Sequence, residues 1–113
     1  MGKGTGKYKH ETRRDLAFGS MLTTYVAVGT AMANPLVKYR IVNETDASLN
    51  VSFDGTNAHD RLPANGGYID DIAYAPVGSI ALPKGTIVYV SYDAGSAPTT
   101  GSVYVAAMYN SNG

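Results

Sequence analysis

The stretch Leu36–Asn43, which reads LVKYRIVN, decides the fold class of this chain. Its odd-numbered positions from 37 to 41 are apolar, while the even-numbered positions include Lys38 and Arg40. Successive side chains of a β-strand point to opposite faces of the sheet. This alternation therefore predicts a strand with one mostly apolar face and one face that carries charge.

Working outward from this strand, the same kind of signal repeats along the chain. Residues 48–54 alternate in the same way, and residues 86–92 are apolar on both faces, which predicts a central strand or one that meets another subunit. Turn residues separate these segments, as at Pro83-Lys84-Gly85. The pattern predicts an all-β fold, a β-sandwich of about seven strands of the jelly-roll or Ig-like type. The predicted strands are residues 23–32, 36–43, 48–54, 66–74, 79–82, 86–92 and 102–109.

The charges of the chain are divided between its two parts. Residues 1–15 contain five cations and two carboxylates, a net charge of +3, and residues 16–113 carry −3. A short basic segment that begins with three glycines in its first six residues cannot build its own core. We therefore predict an extended basic N-terminal arm, residues 1–20, followed by a sandwich domain, residues 21–113.

The composition limits the classes of protein that fit. The 113 residues suit one domain, and the absence of cysteine removes disulfides and thiolate metal sites. The net charge is zero and nine residues are tyrosine, which favours association, because tyrosine packs its ring while its hydroxyl finds a partner. No apolar run reaches the roughly 18 residues of a membrane span, so no membrane partner is predicted.

The residues that could carry chemistry do not form a recognisable set. Asp70 and Asp71 are adjacent and would point to opposite faces of a strand, and His10 and His59 are far apart without a third ligand. No nucleophile, base and orienting group meet the requirements of a catalytic site. The sequence predicts no enzyme activity, no metal and no cofactor, and it favours turn roles for the aspartates.

The basic arm has two possible partners, nucleic acid and protein. Its cations, together with Tyr8 and His10, could neutralise phosphates and stack on bases. However, the whole chain is neutral and no basic stripe continues into the strands, which argues against nucleic acid as the main partner. We expect the arm to bind an acidic or polar surface of a neighbouring subunit, as part of a homo-oligomer.

Two pairs of segments give the chain a family resemblance. Residues 39–46 (YRIVNETD) with 49–55 (LNVSFDG), and residues 82–86 (LPKGT) with 97–105 (APTTGSVYV), resemble segments of small virion proteins of tailed bacteriophages. The resemblance spans residues 36–109. It implies a non-enzymatic structural protein located in the virion, either a head decoration protein or a head–tail or tail-fibre attachment component. Its partners would be other virion proteins and copies of itself.

On this hypothesis the arm clamps neighbouring subunits. Its cations would make charge-assisted hydrogen bonds to carboxylates of the partner, and its large apolar side chains would anchor in grooves. The predicted partner-binding residues are Lys7, Tyr8, Lys9, Arg13, Arg14, Leu16 and Phe18.

Two alternative functions stay open at this stage. Outward tyrosines and the aspartates of a polar loop, residues 54–65, could recognise a cell-surface glycan or another receptor. Residues 13–18 (RRDLAF) also resemble a twin-arginine export leader, with residues 31–35 (AMANP) as its small-residue cleavage site. The intervening stretch contains two glycines and several hydroxyl residues, so its hydrophobicity is weak for a leader.

Overall fold

The segment with the regular alternation, Leu36–Asn43, forms a β-strand as predicted. A computed structural model describes residues 8–72 and 81–110 and shows an all-β chain with a single 3₁₀ turn at Phe18–Ser20. No helix in these two ranges is long and apolar enough to cross a membrane. The strands of the described residues are β1 (Tyr8–His10), β2 (Arg14–Ala17), β3 (Val26–Ala27), β4 (Leu36–Asn43), β5 (Leu49–Ser52), β6 (Asp60–Leu62), β7 (Gly67–Ile72), β8 (Tyr89–Ser91) and β9 (Ser102–Asn110).

The strands form two antiparallel sheets. The five-stranded sheet has the order β1-β9-β4-β7, and β2 also pairs with β9 on the same side as β1. The four-stranded sheet has the order β3-β8-β5-β6. β8 is therefore a central strand, which is one of the two positions that its apolar pattern predicts. An isolated bridge between Leu36 and Leu82 continues the pairing of β4 beyond β7.

The core lies between the two sheets. In the five-stranded sheet, Ile41 stands opposite Val105 on one side and Ile69 on the other, and Ile41 and Val105 are almost completely buried. In the facing sheet, Val51 and Val90 stand opposite each other, and both are completely buried. Two sheets that each bury one apolar face against the other make a β-sandwich, so the predicted fold class is confirmed.

One end of the sandwich is fastened by a buried amide. The side chain of Asn43 is fully buried, and its Nδ2 donates to the carbonyls of Ala47 at 2.8 Å and Pro63 at 3.1 Å. Its Oδ1 accepts hydrogen bonds from the backbone N–H of Thr45 at 3.0 Å and from the Thr45 hydroxyl at 2.6 Å. Since a buried polar group is costly unless it is hydrogen-bonded, these contacts fix the turn after β4 against the chain leaving β6.

The structure differs from the sequence prediction at several strand boundaries. The strand predicted over residues 23–32 is reduced to β3, because Gly29 adopts a φ of +74° that breaks the extended backbone. β6 lies inside the predicted loop 54–65, where its three residues are too short to show a period. The predicted strand 79–82 lies partly outside the described residues. β1 and β2 lie within the predicted arm.

Candidate interaction face

The described part of the arm is an edge strand of the chain's own sheet. Lys9 stands opposite Tyr109 in β1, and Leu16 stands opposite Val103 in β2, so both segments line the same edge of β9. Within the predicted arm, residues 1–20, the structure therefore shows two strands that pair with the sheet of the sandwich. The physical reason is the alternation in β2, where Leu16 packs against the core while Asp15 is exposed.

Two side chains of opposite charge turn inward where the chain passes from β1 to β2. They are Glu11, just after β1, and Arg14, the first residue of β2, and we call this pair the arm clip. Their side chains are only 4% and 9% exposed, and Arg14 Nη1 lies 3.0 Å from Glu11 Oε1. Arg14 also donates to the carbonyl of Thr30 from Nε at 3.2 Å and to that of Ala31 from Nη2 at 2.9 Å. Glu11 Oε2 accepts a hydrogen bond from the amide of Asn34 at 2.7 Å. The clip thus fastens the edge strand to the segment that precedes β4.

The electrostatics of the arm clip follow from these contacts. Burial raises the pKa of Glu11, but hydrogen bonds from the Asn34 side chain, the Ala33 N–H and Arg14, with the charge of Arg14, lower it by more. The net effect holds the pKa of Glu11 below its ordinary value. Glycine is required at position 29, because a Cβ there would collide with Cβ and Cγ of Arg14. The guanidinium of Arg14, one of the predicted partner-binding residues, is therefore bonded within its own chain.

The other predicted partner-binding residues lie in different environments. Leu16 is partly buried and packs against the core of its own chain. Lys9 is exposed, and Phe18 is 40% exposed at the 3₁₀ turn. The backbone of Tyr8 pairs with that of Asn110, and Lys7 lies outside the described residues.

Arg13 points the opposite way from its neighbour Arg14. Its side chain is 64% exposed, its guanidinium carbon lies 5.5 Å from the centre of the Tyr104 ring, and its Nε lies 3.1 Å from Asp15 Oδ1. Tyr104 stands opposite Val42, and Val42 stands opposite Tyr68, which is 63% exposed. A row of aromatic and aliphatic side chains therefore crosses the outer side of the five-stranded sheet.

A second row beside the first carries charge. Arg40 stands opposite Ala106 on one side and Asp70 on the other, and Lys38 stands opposite Met108. Within the part of the chain that the structure describes, neither Lys38 nor Arg40 forms an ion pair. Arginine beside aromatic rings and methionine is typical of protein interfaces. We call this surface the outer face; its residues are His10, Arg13, Asp15, Lys38, Arg40, Val42, Tyr68, Asp70, Tyr104, Ala106 and Met108.

The outer side of the four-stranded sheet is different, because its polar groups bind each other. Arg61 Nη1 lies 3.1 Å from Asp93 Oδ2 and 3.1 Å from Asn50 Oδ1, and Asn50 donates to Asp93 Oδ1 at 3.0 Å. These hydrogen bonds from Asn50 and Arg61 lower the pKa of Asp93.

In the predicted glycan-binding loop, residues 54–65, polar groups also form hydrogen bonds with each other. Asp54 accepts hydrogen bonds from the Asn57 N–H, the Asn57 side chain and the Thr56 N–H, and these hold its pKa well below the ordinary range. His59 Nδ1 accepts a hydrogen bond from the Phe53 N–H at 3.0 Å. The contacts of Asp54 are those of a turn residue. Across the described ranges, no three histidine or acidic side chains lie together as metal ligands would.

Sequence reasoning missed the main residues of the outer face. The alternation in β4 does place Lys38 and Arg40 on one side of that strand. Their proximity to Tyr104 and Tyr68 depends on the pairing of β9 and β7 with β4, which no local signal in the sequence fixes.

Comparisons with protein-family models, with characterised proteins and with solved structures find no match to this chain.

Proposed function

We propose that this chain is a non-enzymatic structural protein that binds neighbouring subunits through the outer face. The observation that carries the proposal is the combination on one sheet surface of an exposed tyrosine, Tyr68, with the cations Lys38 and Arg40, which form no ion pair among the described residues. Burial of aromatic rings and arginines in a water-free centre is the main source of binding energy at protein interfaces.

We further propose that the particle it joins is a bacteriophage virion, as a head decoration or a head–tail or tail-fibre attachment component. What supports this is the resemblance of residues 36–109 to small virion proteins, together with the sandwich fold. The partners would be copies of this chain and other virion proteins.

In this proposal the arm still contacts the neighbouring subunit, but it does so while paired with β9 of its own sheet. Arg13 lies on the outer face, and Lys9 and Phe18 are exposed along or beyond the same edge strand. A neighbouring subunit on the outer face would therefore contact Arg13 and the sheet together. The arm would extend the interface along the edge of β9 while Arg14 holds it in place.

The two alternatives receive less support from the geometry. The glycan hypothesis relies on loop 54–65, whose key carboxylate, Asp54, is already bonded within its own turn. The export hypothesis requires cleavage near residue 33. Such cleavage would remove β1, β2 and β3 together with three buried core residues, Met21, Val28 and Met32.

The test is incorporation into virus particles made by the genome that encodes the chain. We expect mass spectrometry of purified particles to detect the wild-type chain at a constant ratio to the major shell protein. The double variant Arg40→Gln/Tyr68→Ser should be lost from the particles. The matched control Lys84→Gln/Leu22→Ser removes one exposed cation and one exposed apolar side chain elsewhere, and it should be incorporated normally.

Full incorporation of the Arg40→Gln/Tyr68→Ser variant would refute the role of the outer face. Absence of the wild-type chain from particles would refute the virion role. Deletion of the whole arm is a poorer test, since it would also remove β1 and β2 from the sheet.

A further inference from the structure

The outer face contains a shallow depression of about 160 Å³ over Ala106. Two features of the fold create it. The edge strand is interrupted between β1 and β2, so Ala106 has no register partner on that side. In addition, the methyl group of Ala106 is short beside its long neighbours His10, Lys38, Arg40 and Met108, which line the depression.

The walls of the depression are cationic. Lys38 and Arg40 lie two residues apart on β4, so their side chains leave the sheet on the same side. Of the carboxylates on the outer face, Asp15 is paired with Arg13, and Asp70 stands opposite Arg40 across β4 and β7 without forming an ion pair. The depression therefore combines two cations that have no ion-pair partner among the described residues with a volume that suits one small anionic group.

We propose that this depression binds the carboxylate of a single aspartate or glutamate side chain presented by a segment of a partner protein. This inference rests on the proposed function and adds the chemistry of the partner. The guanidinium of Arg40 can donate two parallel hydrogen bonds to a carboxylate, and Lys38 adds a second positive charge.

A protein segment fits this surface better than nucleic acid does. Asp15 and Asp70 flank the cations on the same face and would repel a chain of phosphates, whose binding depends on an extended positive surface. Tyr104, Tyr68 and Met108 nearby suit the apolar side chains of a peptide.

The experiment is an NMR titration of the isotope-labelled full chain with a blocked pentapeptide that has one central glutamate. Its twin with glutamine at that position is the matched ligand. We expect the glutamate peptide to shift the amide signals of residues 38, 40 and 106 and the glutamine peptide to leave them in place. The variant Lys38→Met/Arg40→Gln should weaken binding roughly fivefold, as expected for the loss of two exposed charge pairs. Lys84→Gln should have no effect.

A second variant separates a shaped site from general attraction between charges. Ala106→Leu fills the depression and keeps both cations, so the glutamate-specific shifts should disappear. Equal shifts with both peptides, or unchanged glutamate binding by Ala106→Leu, would overturn the proposal. Stronger shifts of the same residues by a short oligothymidylate at equal ionic strength would overturn it in favour of nucleic acid. Because the outer face is also the proposed surface between subunits, the titration is run at a concentration at which the chain sediments as a monomer, so that its result is separate from whether the chain assembles.

Discussion

The arm clip and the outer face contain neighbouring arginines with opposite roles. Arg14 is 9% exposed and donates to carbonyls of residues 30 and 31 and to Glu11, whereas Arg13 is 64% exposed and lies over Tyr104. Strand alternation sends one side chain into the fold and the other out of it. The comparison teaches that a basic sequence motif does not define an interface, because the partners that the fold supplies decide which cations remain available.

The largest effect should come from breaking the clip. Arg14→Met removes one partner of a buried ion pair and leaves the carboxylate of Glu11 buried without its charge partner. We expect the free energy of unfolding, measured with urea, to fall by about 3–5 kcal/mol. Arg13→Met is the control and should change it by less than about 0.5 kcal/mol, since that side chain is exposed. If both substitutions lowered the free energy of unfolding by the same amount, Arg14 would not have the stabilising role that distinguishes it from Arg13.

A smaller loss of stability should follow from a substitution that places extra atoms against Arg14 in the arm clip. Gly29→Ala places a methyl group against Cβ and Cγ of Arg14 and forces alanine to adopt a φ of +74°, so we expect a loss of roughly 1–3 kcal/mol. Gly85→Ala is the matched control, because Gly85 has a similar φ of +89° and open space around its Cα. In thermal unfolding, Gly29→Ala should be the less stable of the two variants. The reverse order would show that Arg14 does not fill this space.

The clip should also make stability depend on pH. The pKa of Glu11 is lower in the folded chain than its ordinary value of 4.5. Its contribution to stability is therefore fully present above that value and is lost as the pH falls through the folded pKa. We expect the urea midpoint to decrease between about pH 5 and pH 2, and to decrease less in Glu11→Gln, which is less stable at neutral pH. The pKa values of Asp46, Asp54 and Asp93 are also lowered, so these groups add to the pH dependence of stability. If Glu11→Gln has the same pH dependence as the wild-type chain, then Glu11 does not contribute to it.

The smallest effect on stability should come from the outer face. Arg40→Gln/Tyr68→Ser alters exposed side chains, and we expect the free energy of unfolding to change by about 0.5 kcal/mol or less. Urea unfolding beside Lys84→Gln/Leu22→Ser checks this expectation. A large loss in the first variant alone would mean that the face serves the fold of its own chain.

The sequence allowed more of the fold to be predicted than of the site. β4 was predicted with its observed bounds, because its alternation is regular over eight residues. β2 was missed, because Arg14 is charged and charged residues are expected to face solvent. Its burial depends on the acceptors at residues 11, 12, 30 and 31. The depression could not be predicted, since it depends on the gap between β1 and β2 opposite Ala106.

The central claim is that the outer face is the surface through which this chain associates. Sedimentation velocity of the full chain over a wide concentration range, beside the variants Arg40→Gln/Tyr68→Ser and Lys84→Gln/Leu22→Ser, tests it most directly. We predict that the wild-type chain and the second variant form the same oligomer, and that the first variant sediments as a folded monomer. An oligomer of unchanged size and stability in the first variant would contradict the claim.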